Sequence, residues 1–220
     1  ANIGIVYETQ DNYMQALEMN LQSLKIRESI GDVKGTSNSY NNIGVIYLKQ
    51  GNHPKAMEYF NKSLKLRKQL LDNSAIAESY NNIGSVYMDQ NKIDSAIIMH
   101  MMSLKIKKEM NNKNNIAISL SNLGVCYGLN NQIDSALFYN LAALKINEEL
   151  KDKHGMAVAS CNVANAYLSL NDFQKTIFYA DKALSISQEI KSLYNEQTVY
   201  SIYVELFEKK QDYKKALYYN

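Results

Sequence analysis

The chain repeats itself every forty residues, and that period constrains the fold more than any other feature of its 220 residues. The segments NIGIVY, NNIGVIY, NNIGSVY, SNLGVCY, CNVANAY and SIYVELF recur in one frame, starting at residues 2, 41, 81, 121, 161 and 201. Gly4, Gly44, Gly84 and Gly124 hold one site of the frame, and Ala164 and Val204 follow in the next two copies. Three residues later stand Tyr7, Tyr47, Tyr87, Tyr127, Tyr167 and then Phe207. A second block keeps the same period through Ala16, Ala56, Ala96, Ala136, Thr176 and Ala216, followed by Leu24, Leu64, Leu104, Leu144 and Leu184. A unit of this length is one supersecondary element that cannot bury its own apolar surface, so successive copies must stack.

Each copy reads as two helices. Apolar and small residues at helical spacing predict a first helix of about fourteen residues, for example 37–50, ending at polar breaks such as QGN (50–52) or QNK (90–92). A longer second helix is expected over 53–70, with Pro54 near its start, where a helix tolerates proline. The next breaks contain Gly31-Asp32, Asp72-Asn73, Asn111-Asn112 and Asp152-Lys153. Pro54 is the single proline of the chain, which suits an almost wholly helical protein. The expected fold is all-α, a right-handed superhelical solenoid of antiparallel helix pairs. Residues 1–220 form one array of about five and a half repeats, read as a fragment of a longer protein because both ends fall inside helices. The sixth copy, with Ile202, Tyr203 and Val204 in place of Asn-Ile-Gly, reads as the approach to the end of the array. Within a repeat, Gly84 and Ala96 are expected to let the two helices approach closely.

Composition bounds the chemistry. A net charge of +2 gives no electrostatic reason to expect a nucleic-acid partner through this region. No apolar run approaches the ~20 residues that cross a bilayer, so no membrane insertion is expected. Cys126 and Cys161 have no metal-ligand or redox spacing, and His53, His100 and His154 occupy different repeat positions. No nucleophile–base arrangement, metal motif or phosphate loop is present by spacing, so neither a cofactor nor catalysis is expected. A cytoplasmic location and a periplasmic one, as part of a membrane-bound sensor, both fit.

A small residue in the first helix, an aromatic three residues on and an alanine in the second helix make a pattern that resembles the tetratricopeptide repeat. Tyr40, Gly44, Tyr47, Ala56 and Phe60 form its clearest copy. The forty-residue period, with its NNIG start and SLKI middle, is similar to a long-helix subgroup. Kinesin light chains, Leu-Gly-Asn-repeat polarity adaptors and bacterial peptide-pheromone receptors and signalling proteins belong to that subgroup. The resemblance covers essentially the whole chain and implies a scaffold that binds a protein or peptide segment in a concave groove.

Turning the first helix at ~100° per residue separates its faces. Tyr40 and Tyr47 fall near the direction of Gly44 and read as core of the helix pair, whereas Ile43 and Ile46 lie on a flank facing a neighbouring repeat. Asn42 lies on the side away from the partner helix, the side that lines the groove in the resembling families. The same site holds Asn2, Asn82, Asn122 and Asn162. Asparagine is a poor helix former, so its recurrence needs a reason. One reason is a ladder of amides that donates to and accepts from a peptide backbone, the role asparagines play in the resembling families. Another is that each amide bonds the adjacent repeat and orders the stack.

Other groove-facing positions differ between copies. Glu78 and Asp89 form an acidic wall, Ile118, Val125 and Leu129 an apolar one, and Asn165 joins Asn162 in the fifth copy. A ligand with a basic residue near a hydrophobic anchor is the expected preference. Lys25, Arg27, Lys65, Arg67, Lys105, Lys107 and Lys145 read as one basic line along successive second helices, a solvated face. Three functions follow for consideration: a peptide- or protein-binding adaptor, the sensor region of a larger bacterial signalling protein such as a histidine kinase or transcription regulator, and an enzyme.

Overall fold

The computed structural model describes residues 10–220, with side chains from Tyr13 onward, so Asn2, Gly4 and Tyr7 lie outside the described residues. The described chain is a succession of α-helices without strands: α1 (Gln10–Ser29), α2 (Val33–Lys49), α3 (His53–Gln69), α4 (Asn73–Asp89), α5 (Ile93–Glu109), α6 (Lys113–Leu129), α7 (Ile133–Leu150), α8 (Lys153–Ser169), α9 (Phe173–Glu189), α10 (Leu193–Lys209) and α11 (Tyr213–Tyr219). Even-numbered helices are the first, or A, helices of the repeats, and odd-numbered ones are the second, or B, helices.

The A helix starts earlier than its apolar pattern indicates. Both α2 and α3 are seventeen residues long, so the expected fourteen-residue first helix and longer second helix are corrected to equals. The start at Val33 is set by Asp32, whose carboxylate accepts a hydrogen bond from the Gly35 N–H at 2.8 Å. The next turn buries Gly35, Thr36, Ser37 and Ser39, which are small or polar, so no apolar stripe announces it. Asn52, Asp72, Asn112, Asp152, Asp172 and Asp212 cap their helices in the same way.

Two seventeen-residue helices and two three-residue linkers make the forty-residue period. In each linker the backbone turns through a left-handed residue: Gly31, Gly51, Leu71, Asn91, Asn111, Asn131, Lys151, Asn171, Lys191 and Gln211, one every twenty residues. The N–H of this residue and of the one after it return to carbonyls of the finished helix, as Gly51 does to Leu48 and Asn52 to Tyr47. Glycine and asparagine suit that conformation; Leu71, with φ of 53°, does not.

The chain divides into two compact units, Ala1–Met110 and Asn111–Asn220. In the first, α2 packs on α3 and α4 on α5, with α3 against α4. Its core holds Ile43, Tyr47, Ala56, Phe60, Leu64, Ile83 and Val86. In the second, α6 packs on α7, α8 on α9 and α10 on α11. Cys161, Ala164, Leu168, Ala180, Ala183, Val199 and Leu206 lie in its core. The tyrosines expected in the core close three of the pairs from the side: Tyr47 stacks on Tyr59 at 5.6 Å, Tyr127 on Tyr139 at 5.1 Å and Tyr167 on Tyr179 at 5.6 Å between ring centroids.

At the tightest crossing, a Cβ built on Gly44 would lie 2.7 Å from the Phe60 ring, and one on Gly84 would lie 2.8 Å from the His100 ring. The nearest neighbour of Gly84 is therefore His100, with Ala96 fully buried one turn earlier on the same helix. Side chains on a helix lean towards its N-terminus, so a residue one turn further along covers the glycine. His100 is fully buried, and neither ring nitrogen has a hydrogen-bond partner. Burial, with a smaller contribution from the nearby Lys107 ammonium, pushes its pKa down to about 4.

Two predictions follow from this packing. Leu71→Gly should raise the unfolding free energy by about 0.5–1 kcal/mol, read as a higher urea midpoint with an unchanged slope, because it relieves left-handed strain at the cost of some unfolded-chain entropy. In the unfolded chain His100 titrates near 6.5 but in the folded one near 4, so between those values the unfolded state binds the extra proton. Stability should be full above pH 6.5 and fall on acidification towards pH 4, by an amount on the order of 3 kcal/mol. His100→Phe, which copies Phe60, should flatten that limb of the pH–stability profile.

Candidate functional site

In the first unit the face of α2 and α4 away from their B helices carries Asn42, which is exposed, and Asn82, which is half-buried. Asn82 Nδ2 donates to Asn41 Oδ1 at 2.9 Å. Asn41 is itself buried and belongs to a network centred on Arg67, whose side chain is almost wholly enclosed. Arg67 Nη1 donates to the Ala75 carbonyl at 2.8 Å, to Ser79 Oγ at 2.9 Å and to Asn41 Oδ1 at 3.4 Å. Its Nη2 reaches Asn38 Oδ1 at 3.4 Å and pairs with Glu78 Oε2 at 3.2 Å. Asn41 Nδ2 completes the circuit by donating to Glu78 Oε1 at 3.3 Å. Burial lowers the pKa of Arg67, and Glu78 and Asp72 work against that shift. Glu78, placed by sequence on an acidic wall, thus holds α4 to α3 and α2. Asp89, its intended companion, is exposed and sits 3.8 Å from His53 Nε2.

In the second unit α6, α7 and α8 enclose a cleft of about 220 Å³. From α6 it receives Val125 and Leu129, one helical turn apart, and from α8 Asn162, Asn165 and Ser169, which share a face. Four residues named from the sequence, Val125, Leu129, Asn162 and Asn165, therefore line one cavity. Ile118 is half exposed and does not line it, and Asn122 is half-buried outside the lining. The floor comes from α7 through Ile133, Ala136 and Asn140. Asn140 is 2% exposed, and its Oδ1 has no hydrogen-bond partner.

Asn140 escaped the sequence reading, although a signal was present. It occupies the repeat position of Phe60, His100 and Ala180, so a polar residue stands where the clearest copy has a core aromatic. The basic line on the B helices also needs correcting. Lys65 and Lys105 are exposed, but Arg67 is 2% and Lys107 7% exposed. Residues two apart on a helix point ~200° apart, so the alternate members of that line cannot share a face. The inward register has its own role, since Arg27 Nη1 donates to the Gly35 carbonyl at 2.7 Å as Arg67 does to Ala75.

Cys126 and Cys161 are buried, and burial pushes both thiols up to about 11, which keeps them protonated at neutral pH. Among the described residues no group of three or more His, Cys, Asp or Glu side chains is placed to hold a metal ion, and no helix is long and apolar enough to cross a membrane. The separation of the two basic registers is measurable. Arg67→Met should destabilise the protein by about 2–3 kcal/mol through the carbonyl and amides it leaves unpaired, while Lys65→Met should stay within about 0.5 kcal/mol of the parent in the same denaturation experiment.

The family model described as tetratricopeptide repeat matches residues 1–69 and 75–149, and a second model of that description matches 157–190. No curated protein matches the chain in sequence. Among solved structures, BtubC from P. vanneervenii superposes with a TM-score of 0.79 at 17% identity, over 96% of this chain and 89% of that one. A Rap protein solved in complex with Competence and Sporulation Factor has a TM-score of 0.77 at 13% identity, over 96% of this chain and 69% of that one. A signal-transduction ATPase of Pyrococcus horikoshii with a tetratricopeptide repeat sensor has a TM-score of 0.75 at 18% identity, and the match covers 94% of this chain and 32% of the other. The matched models span most of the chain, and its helices pair and pack as the repeat requires: it belongs to the tetratricopeptide repeat family, an all-α solenoid fold that serves as a protein-binding scaffold.

Proposed function

We propose that the scaffold binds an extended peptide segment along the A-helix face of its units, with Asn42 and Asn82 as backbone contacts in the first and Asn122 and Asn162 in the second. The observation that carries this reading is the register of those amides. Each stands two residues before the buried glycine or alanine of its helix, and none is itself fully buried. A carboxamide offers a donor and an acceptor together, which matches a peptide unit whatever side chain it bears. Asn82 gives one amide N–H to Asn41, which leaves its second N–H and its Oδ1 for a ligand. The preference for a basic residue weakens, because Glu78 is already paired with Arg67; Asp89 is the acidic group that would carry it.

A second reading, the sensor region of a larger signalling protein, draws support from the Pyrococcus horikoshii ATPase, in which repeats of this fold form the sensor. The two readings are compatible, since a sensor must bind what it senses. The experiment is a peptide-library screen on the wild-type chain and on Asn42→Ala/Asn162→Ala. Each lost amide hydrogen bond should cost about 0.5–1.5 kcal/mol net, so the double variant should bind selected peptides roughly one to two orders of magnitude more weakly while keeping its melting curve. Undiminished binding by a folded double variant would remove the amide ladder from the site. Loss of the fold instead would make these asparagines part of the stack.

A further inference from the structure

We propose that the cleft between α6, α7 and α8 is an anchor pocket for one uncharged aliphatic side chain of the bound segment, of leucine or methionine size. It would occupy the space that other copies of the repeat fill with their own residue at the position of Gly128. The inference rests on the peptide-binding reading and adds to it a site and a residue class.

The repeat itself shows what belongs in this space. Gly128 stands where the other described copies carry Leu48, Met88, Leu168 and Glu208, of which only the glutamate is exposed. In the next copy of the same unit Leu168 is 1% exposed and packs in one cluster with Ala180, Ile202 and Leu206. Leu48 is partly buried against the core of the first unit. At Gly128 that side chain is missing, and the cleft borders the glycine, with Val125 and Leu129 from α6, Ile133 and Ala136 from α7 and Ala166 from α8.

Nothing in the packing asks for glycine at this place. A Cβ on Gly44, Gly84 or Gly124 would strike the facing side chain, whereas a Cβ on Gly128 would meet only the Ala136 Cβ, at 3.8 Å, an ordinary contact. Gly128 lies inside α6, where glycine costs helix stability relative to alanine. A glycine that weakens its helix, relieves no clash and leaves a pocket open fits a site kept free for a guest.

Size and polarity agree. The cleft, at about 220 Å³, falls below the ~300–1,000 Å³ of pockets that hold whole small molecules. A truncated core leucine leaves a cavity on the order of 150 Å³, so one aliphatic side chain fits. None of the lining residues is ionisable, so a charged group would lose its hydration without a countercharge. Asn162 and Asn165 line the α8 side, where the backbone of the segment would find amides next to the apolar space.

The test uses the full chain, with peptide selection in one arm and small probes in the other. Selected peptides should share one leucine or methionine, and its replacement by alanine should weaken binding about ten- to fiftyfold. Gly128→Leu rebuilds the arrangement around Leu168, so its urea midpoint should rise while the leucine-over-alanine preference falls to near unity. Gly128→Ala should raise the midpoint as well but keep the preference, because one methyl leaves most of the volume open. N-acetyl-leucinamide should shift the backbone resonances of Val125, Ala136 and Ala166 in the wild type and not in Gly128→Leu, and N-acetyl-alaninamide should shift them in neither. Where peptides are selected, their preference decides; where none is, the probes decide. Peptides that bind without an aliphatic anchor, a preference that survives in Gly128→Leu, or a lower midpoint for that variant would overturn the pocket and leave the peptide-binding reading standing. Probe shifts at the cleft with no peptide selected would sustain the pocket and sink the extended-segment reading. No response in either arm would remove both.

Discussion

Everything in each repeat depends on how closely its two helices can cross. Gly44, Gly84 and Gly124 lack the Cβ that would strike the facing side chain of the B helix, so that side chain lies directly on helix backbone. Around this contact the two helices bury Ala56, Leu64 and their counterparts, and Tyr47 and Tyr59 close the side of the pair. The facing residue then changes from copy to copy, Phe60, His100, Asn140 and Ala180, all of them buried. Where it is phenylalanine the crossing is filled with carbon. Where it is histidine the crossing holds two unpaired nitrogens and a depressed pKa, and where it is asparagine it borders a cleft. One geometric constraint thus yields a core, a proton-sensitive site and a candidate pocket, according to the side chain placed against the glycine.

Stacking of one pair on the next uses a different kind of contact. In the first unit a guanidinium enters the seam between α3 and α4 and satisfies carbonyl, hydroxyl and amide groups from both A helices. A buried charge of this sort is tolerable because nearly every donor finds an acceptor and Glu78 supplies the countercharge. It also engages Asn41 and, through it, Asn82, so the amides on the A-helix face are tied to the same network that orders the stack. Asn82 thus orders the stack through one amide N–H, while its second N–H and its Oδ1 take no part in that bond.

Much of the fold was legible in the sequence. Gly44, Tyr47, Ala56 and Leu64 recur at strict spacing because every copy solves the same packing problem, and Ile43 is fully buried as its helical register requires. The twenty-residue beat of left-handed linkers was less visible, since Leu71, Lys151, Lys191 and Gln211 stand where glycine or asparagine would have marked it. The first turn of α2 was invisible for a related reason: buried serine, threonine and glycine leave no apolar stripe. At the cleft, Val125, Leu129, Asn162 and Asn165 share one lining because neighbouring A helices present the same register to it.

What the sequence determined by itself was the repeat, its helical character and the direction each periodic residue faces, because these depend on local geometry with a fixed period. Only the tertiary structure decided which polar residues would be spent inside the protein. Glu78 and Arg67 become partners, and Asn140 lies enclosed with an acceptor unmatched. These outcomes depend on the distance between side chains from different helices. Periodicity records which way a residue points and carries no measure of what it meets.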